Sequence, residues 1–353
     1  MTTFRTHRVV DMLAERPGLQ RVALDDGSRA YALTQLTGTV AVDDEVVVNT
    51  TAVDLGLGTG GWHVVHWNLS RRELHQPGPG HIMKVRYTSL QADTGAAEEH
   101  LDTGATGEST SALPHLGGVP VLVGSLHSQL GVAAAVAHAQ RPGLRVVYVM
   151  TDGAALPIAL SDLVHELRTR GLLHATITAG HAFGGDLEAV STASALQLAV
   201  EQAAAELVVC LMGPGVVGTA SALGTTAVEV ASIATAASQL GARPVVMVRA
   251  SDGDARPRHR GLSHHTRTAL ALTPVPVDVV LPSELVAMAA DLSPHQVVVT
   301  DAPDVAAVLE QYRLRVTTMG RGPLDDPLFF AAAGAATSHA VSLIAGPDTV
   351  SGA

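Results

Sequence analysis

The spacing of apolar positions along the chain changes near residue 118. Before that point, short apolar runs alternate with turn residues, and no helical periodicity is present. Such runs are typical of half-buried strands. They predict strands at 6–13, 19–24, 29–33, 46–49 and 62–67. Asp25-Asp-Gly27 predicts a hairpin turn, because Asp and Gly tolerate positive φ angles. We therefore expect a small all-β barrel or sandwich at the N-terminus.

After residue 118, nearly continuous Val and Leu runs alternate with segments of helical spacing. The runs predict strands at 119–123, 145–150, 174–178, 206–212, 244–249, 277–281 and 296–300. Helices are predicted at 129–140, 161–170, 189–205, 225–240, 283–289, 303–312 and about 327–344. The last helix is rich in alanine and should pack closely against the sheet or a second subunit. Apolar strands joined through helices indicate a mostly parallel sheet with helices on both faces. The fold class is therefore α/β and Rossmann-like.

A less regular segment separates the two patterns. Residues 81–88 predict a strand with Lys84 on a basic face, consistent with solvent exposure, and Met83 on the opposite face. Residues 92–118 are rich in Gly, Thr, Ser and acids and predict a loop or linker. A chain of 353 residues exceeds the size at which one core keeps growing. We expect an all-β module at 1–75, a strand-and-loop connection at 76–118 and an α/β domain at 119–353.

Composition and charge narrow the classes of partner. A net charge of -11 opposes extended binding to nucleic acid or to an anionic membrane, since both require broad basic fields. No apolar run approaches the roughly 18 residues of a spanning helix, and the N-terminus lacks an apolar signal segment. Cys210 is the single cysteine and lies in an apolar run. We expect a cytoplasmic protein with no membrane partner, and a homo-oligomer stays open.

Residues 256–268 contrast with the acidic remainder of the chain. This stretch carries four arginines, three histidines and three hydroxyl residues. Guanidinium groups bind carboxylate and phosphate in bidentate geometry, so the stretch predicts a pocket for a small anionic ligand. The candidate ligand-binding residues are Arg249, Arg256, Arg258, His259, Ser263, His265 and Thr266.

Polar residues also follow the other predicted strands, at their carboxyl ends, where open parallel sheets bind ligands. Imidazole and carboxylate groups can transfer protons near neutral pH. The candidate catalytic residues are therefore His127, Asp152, His181 and His264. Asp186 is a further candidate for ligand binding, with the N-cap of the following helix as its alternative role.

Two glycine-rich motifs have the spacing G-x-G-x-x-G. The first, at 56–61, precedes a strand-like run and therefore predicts a turn, with a ligand loop as the alternative. The second contains Gly213, Gly215 and Gly218, follows a predicted strand and leads toward a helix. Its backbone N–H groups would favour a phosphate or a carboxylate. We expect anion or nucleotide binding there, with a tight turn as the alternative. The usual ribose-binding acid is not at the expected spacing for a dinucleotide.

A metal is the rival explanation of the many histidines. No His-x-His, His-Glu-x-x-His or Cys-x-x-Cys spacing occurs. Adjacent residues diverge by roughly 100° on a helix, so His264 and His265 are not expected to serve one ion together. A site assembled from His127, Asp152, His181 and His264 stays open. The sequence therefore leaves the metal and any cofactor unknown.

Several short motifs together resemble an uncharacterised bacterial family that is labelled only as a domain of unknown function. The resemblance covers about residues 5–300. It rests on Leu36-Thr-Gly38, Asn49-Thr-Thr-Ala-Val53, Leu55-Gly-Leu-Gly-Thr-Gly-Gly61, His81-Ile-Met-Lys-Val-Arg-Tyr87, Thr178-Ala-Gly-His-Ala-Phe-Gly-Gly-Asp186, Met212-Gly-Pro-Gly215 and Ser263-His-His-Thr266. This resemblance implies no activity. The leading hypothesis is an enzyme that acts on a small anionic, phosphorylated or nucleotide-like substrate. The alternatives are a non-catalytic ligand-binding or regulatory protein and a metal-dependent hydrolase.

Overall fold

The computed structural model describes residues 2–57, 60–101 and 113–344. Contacts divide the chain into two compact units, Met1–Glu99 and His100–Ala353. The predicted boundaries at residues 75 and 118 stay predictions. Part of the first glycine motif and residues 102–112 of the predicted linker lie outside the described residues. Within the described residues, no helix is both long enough and apolar enough to cross a membrane.

A closed barrel of five strands forms the main part of the first unit within the described residues, as the alternation of apolar residues predicts. The strands are β1 (Phe4–Arg16), β2 (Leu19–Leu24), β3 (Arg29–Leu33), β4 (Glu45–Asn49) and β5 (Trp62–Asn68), in the order β1-β2-β3-β5-β4. Short helices α1 (Thr34–Thr37) and α2 (Thr51–Asp54) lie in the connections. Inward-facing side chains such as Val22, Val46 and Val65 fill the interior.

The strand predicted at 81–88 is wrong in extent and in the exposure of its faces. Only β6 (Met83–Lys84) forms, paired in antiparallel fashion with β7 (Ala92–Asp93). Val85 and Tyr87 have φ angles of 52° and 61°, which an extended strand does not accommodate. Lys84 is fully buried, whereas Met83 is 37% exposed. The alternation of basic and apolar residues therefore does not mark a solvent-exposed basic face.

The second unit contains a parallel sheet of eight strands within the described residues, which confirms the α/β prediction. Its strands are β8 (Pro120–Val123), β9 (Val146–Thr151), β10 (Ala175–Ala179), β11 (Leu187–Ala189), β12 (Leu207–Met212), β13 (Arg243–Met247), β16 (Asp278–Leu281) and β17 (Gln296–Val299). The order is β11-β10-β9-β12-β8-β13-β16-β17. Strands β14 (Ala250–Ser251) and β15 (Gly261–Leu262) form a separate antiparallel pair. Every residue of β8, β9 and β12 is buried, as their continuous apolar runs predict.

Helices cover both faces of this sheet. They are α3 (Gln129–Gln140), α4 (Asp162–Thr169), α5 (Thr192–Glu201), α6 (Glu229–Gln239), α7 (His264–Ala271), α8 (Val305–Gln311) and α9 (Pro327–Ser342). Helix α3 contacts α4, α8 and α9, whereas α6 contacts α5 and α7. The chain passes in one direction along the sheet through α3 and α4, and in the other direction through α5 and α6. Because such crossover connections are right-handed, opposite directions place the two groups of helices on opposite faces. The alanine-rich α9 packs on β8, β13 and β16, which confirms the sheet as its partner.

Several predicted helices differ in type or bounds. The helix predicted at 189–205 begins only at Thr192, because Ser191 is its N-cap and accepts a hydrogen bond from the Ser194 backbone. The N-cap role considered for Asp186 is therefore wrong. Residues Thr226–Val228 form a 3-10 turn before α6, and Ser283–Asp291 form a 3-10 helix.

Helix α7 (His264–Ala271) begins within residues 256–268, a stretch in which the sequence pattern predicts no helix. Residues Pro257–His259 instead form a 3-10 turn, and α7 begins at His264. The side chain of Ser263 accepts a hydrogen bond from the His265 backbone N–H and so caps the helix. The start of α7 therefore lies inside the basic stretch.

Candidate functional site

The strand order opens a crevice at the carboxyl edge of the sheet. The described strands of this sheet are all parallel, so the predicted polar loops leave from one edge. Strand β12 lies between β9 and β8. Chain connections after β8 and β9 lead to α3 and α4, whereas the connection after β12 leads to α6 on the other face. Connections that diverge in this way create the crevice in which α/β sheets bind ligands.

The described residues bring three histidine rings together after β13. His259, His264 and His265 have ring centroids 4.3–4.9 Å apart. One ligand atom from each lies within 4.8 Å of the others. The expectation that the neighbouring rings of His264 and His265 diverge is therefore wrong. Adjacent Cα–Cβ bonds diverge, but side-chain rotation brings the ring atoms back together because the rings lie far from the backbone.

Hydrogen bonds fix part of this cluster and leave two ring nitrogens buried. Nδ1 of His265 lies 3.2 Å from Nη1 of Arg249 and 3.4 Å from Oγ1 of Thr225. A guanidinium can only donate, so Nδ1 accepts in this arrangement and the ring proton lies on Nε2. Nε2 of His265 and Nε2 of His264 are buried with no hydrogen-bond partner. The cluster thus contains two buried polar atoms whose hydrogen-bonding capacity is unsatisfied.

Guanidinium groups adjoin the histidines and outnumber their carboxylate partners in the described part of the chain. Nε and Nη2 of Arg256 donate to the two Asp254 carboxylate oxygens at 2.9 and 2.8 Å. Nη2 of Arg249 and Nη2 of Arg321 lie 3.6 and 3.8 Å from the same carboxylate. Arg321 makes its closer contact, 2.9 Å, with Asp326. Asp252 adjoins Asp326 and adds a third carboxylate there. Beside the histidines, Arg249 and Arg256 share the single carboxylate of Asp254, and Arg258 adds its charge, so positive charge is in excess at the rings.

Burial and these charges keep the histidines neutral. Burial, followed by repulsion from Arg249, lowers the pKa of His265 to about 4. The same two causes lower the pKa of His259 to about 3. Burial, followed by the charge of Arg258, also lowers the pKa of His264. Neutral imidazole is the form that binds a metal or accepts a proton.

The second glycine motif packs against this cluster. A Cβ atom on Gly218 would lie 2.6 Å from Cε1 and 2.9 Å from Nε2 of His265. Gly215 has a φ of 103°, and a Cβ on Gly213 would lie 2.9 Å from a neighbouring carbonyl oxygen. The motif leads toward a helix, as predicted, but a 3-10 turn at Thr226–Val228 separates it from α6, which begins at Glu229. The loop therefore serves the histidine cluster rather than a helix N-terminus.

Glu229 is a candidate that sequence reasoning missed. Its Oε2 accepts a hydrogen bond of 2.9 Å from Oγ1 of Thr151, at the end of β9. A Cβ on Gly153 would lie 2.4 Å from the same oxygen. Burial, with a smaller contribution from Asp152, raises the pKa of Glu229 to about 7. A usable signal existed, since Glu229 is the only charged residue between Glu206 and Arg243.

The four predicted catalytic residues occupy different positions along this edge. His264 belongs to the cluster. Oδ2 of Asp152 accepts a hydrogen bond of 3.0 Å from the backbone N–H of His181, which joins the loops after β9 and β10. Nε2 of His127 lies 2.6 Å from Oγ of Ser161, which also caps α4. Burial lowers the pKa of His127 to about 4, so this ring stays neutral and links two loops.

Two predicted ligand-binding residues support the backbone. The Asp186 carboxylate accepts hydrogen bonds of 2.8 and 2.9 Å from the backbone N–H and hydroxyl of Thr176, and it pairs with Arg168 at 2.9 Å. Oγ1 of Thr266 accepts a hydrogen bond of 2.9 Å from the backbone N–H of Arg249. Thr266 thus positions Arg249 beside the cluster, whereas Asp186 stabilises the glycine-rich turn after β10.

Comparison with known proteins identifies a family. No curated protein and no solved structure is significantly similar to the chain. A family model described as "Protein of unknown function (DUF3866)" matches residues 29–337, which is most of the chain. The match confirms the resemblance drawn from the short motifs. The chain therefore belongs to the DUF3866 family of proteins of unknown function.

Proposed function

We propose that the protein is an enzyme that acts on a small anionic substrate at the carboxyl edge of the parallel sheet. The excess of guanidinium charge beside three neutral histidines is the observation that carries this proposal. It occurs in a chain of net charge -11, so the local sign is opposite to that of the whole protein. Buried or half-buried cations with too few counter-charges favour binding of an anion.

Arg258 is the residue best suited to contact this anion first. It is exposed on the 3-10 turn that ends at His259. Its charge lowers the pKa of His264, which indicates proximity between the two side chains. Arg249 and Arg256 contact Asp254 and therefore hold defined positions behind it. A phosphate or carboxylate would complete the charge balance of the group.

Glu229 is our candidate for proton transfer. A carboxyl group with a pKa of about 7 populates both protonation states at neutral pH, which suits a general acid or base. Oγ1 of Thr225 lies 3.4 Å from Nδ1 of His265, and Thr225 is the N-cap of the 3-10 turn that leads directly to Glu229. The same connection after β12 therefore reaches both the histidine cluster and the proton-transfer candidate.

A non-catalytic ligand-binding or regulatory protein is the second candidate. The observation that favours it is the engagement of two predicted catalytic residues in bonds between loops. His127 contacts Ser161, and Asp152 accepts from the backbone of His181. Under this alternative the same arginines bind the anion and no turnover follows.

Thermal-shift titration tests the proposal. Inorganic phosphate, nucleotides and sugar phosphates are titrated at constant ionic strength, and we expect at least one to stabilise the protein. Arg258→Gln should weaken that ligand about tenfold or more, since a charge-assisted hydrogen bond contributes about 1.5–3 kcal/mol. Arg315→Gln is the matched control, because it removes one charge from another exposed position.

The outcomes separate the two candidates. Turnover of the stabilising ligand that disappears in Glu229→Gln, with binding retained, supports the enzyme. Binding without turnover supports the non-catalytic alternative. If no anion stabilises the protein, or if Arg258→Gln and Arg315→Gln weaken binding equally, the anion site is refuted.

A further inference from the structure

We propose that His259, His264 and His265 together hold one divalent transition-metal ion of the zinc type. Imidazole nitrogen is a preferred ligand for such ions, and three histidines with one open position form a known catalytic zinc arrangement. One ligand atom from each ring already lies within 4.8 Å of the others. Zinc–nitrogen bonds of about 2.0–2.1 Å place ligands roughly 3.4 Å apart, so small side-chain rotations would close the site.

The unsatisfied ring nitrogens provide a second, independent observation. Nε2 of His264 and Nε2 of His265 are buried without a hydrogen-bond partner, and His265 is only 3% exposed. A buried polar atom without a partner destabilises a fold unless something satisfies it. A metal ion bound between the rings would satisfy both atoms. Other described histidines also have a buried ring nitrogen without a partner, but these two are distinguished by adjacent rings, whose centroids are 4.3 Å apart.

Metal binding at Nε2 requires a change of tautomer at His265. The ring proton lies on Nε2 while Arg249 donates to Nδ1. When the ion binds, this proton moves to Nδ1, where Oγ1 of Thr225 lies 3.4 Å away as an acceptor. The ring therefore neither gains nor loses a proton overall. Arg249 loses its acceptor on the ring and becomes available to another acceptor.

The charge of the ion determines what occupies the open position. Beside the rings, Arg249 and Arg256 already share the single carboxylate of Asp254. A divalent cation adds to this excess, so the fourth ligand should be an anion. This expectation of an anionic fourth ligand rests on the proposed function, since the anion would contact both the ion and Arg249. The metal-dependent hydrolase hypothesis thus returns with a ligand set different from the one assembled from separate loops.

Direct measurement of bound metal tests the site. Tag-free full-length protein is stripped with a chelator, dialysed against Zn²⁺ or Co²⁺, freed of excess ion and subjected to elemental analysis. We expect one ion per chain. The Co²⁺ form should show the intense visible absorption of a tetrahedral site with nitrogen ligands.

Metal affinities of histidine variants test whether these side chains bind the ion. His264→Ala should lower metal affinity by at least about 100-fold, because loss of a ligand should exceed the 10–100-fold effect of losing a residue that supports one. His165→Ala is the matched control, since His165 is an exposed helical histidine on α4. If His264→Ala fails to fold, His259→Ala and the Co²⁺ spectrum of the unmodified protein provide the same test.

Three results would overturn the proposal: substoichiometric metal, a Co²⁺ spectrum of an octahedral aqueous ion, or equal affinity in His264→Ala and His165→Ala. Anion titration in the presence of a chelator keeps the two proposals separate. Anion binding without stoichiometric metal refutes the metal site and leaves the anion site intact. Stoichiometric metal without anion binding refutes the anion site and leaves the metal site intact.

Discussion

Replacing Glu229 with glutamine should stabilise the protein above neutral pH and have little effect in mild acid. Burial raises the pKa of Glu229 from its ordinary 4.5 to about 7. Between these two values the unfolded chain loses the proton while the folded protein retains it. Stability contributed by this group therefore falls as pH rises from 4.5 to 7 and is constant above that range.

The expected magnitude follows from the pKa values. One pKa unit corresponds to about 1.4 kcal/mol, so the shift from 4.5 to about 7 lets the ionised carboxylate destabilise the folded protein by at most about 3.5 kcal/mol above pH 7. Glutamine resembles the protonated carboxyl group, and its amide oxygen can still accept the hydrogen bond from Thr151. The substitution thus removes the charge and preserves the local contact.

Urea unfolding at pH 5, 6, 7 and 8 measures the difference in stability between the Glu229→Gln variant and the unmodified protein. We expect this difference to grow by about 2–3 kcal/mol across the series, in favour of the variant. Glu201→Gln, at an exposed position on α5, provides the control for loss of one negative charge. A difference that stays constant with pH, or that grows equally in the control, would refute the assignment of a raised pKa to Glu229.

Two further substitutions test the surroundings of the histidine cluster. Gly218→Ala should destabilise the protein by about 1–3 kcal/mol through overpacking against His265. Gly322→Ala is the control, because its Cβ would meet no atom closer than 3.6 Å. Equal denaturation midpoints for the two variants would contradict the close packing at Gly218. Asp254→Asn should lower the free energy of unfolding by about 3 kcal/mol, because the buried guanidinium of Arg249 loses a counter-charge. A decrease below about 1 kcal/mol in chemical denaturation would show that these arginines do not depend on the carboxylate.

The site could be predicted only in part. Polar residues at the ends of apolar runs correctly identified one edge of the sheet, because parallel strands joined by helices all point the same way. The grouping of Arg249, Arg256 and the histidines was also visible, since they lie close together in the chain. Asp254 and Thr225 were missed, because an isolated acid or hydroxyl in a loop has no periodic pattern to distinguish it.

Local backbone chemistry explains the errors nearest the site. The interpretation of His264 and His265 as divergent neighbours considered only Cα–Cβ directions. Ser263 caps α7 and the preceding 3-10 turn brings His259 alongside, so all three rings meet. A cap followed by an eight-residue helix is a weak sequence signal when the helix begins with two polar rings.

The sequence by itself determined the fold class and most of the strands and helices of the two units. Alternating apolar residues specify a half-buried barrel, and continuous apolar runs specify strands covered on both faces, because side-chain direction repeats within a few residues. Strand order was decided only in the tertiary structure. Placing β12 between β9 and β8 depends on packing between distant segments, and this placement brings Glu229 to Thr151 across 78 positions of sequence. The raised pKa of Glu229 and the buried histidine nitrogens arise from that same long-range burial, which no local pattern encodes.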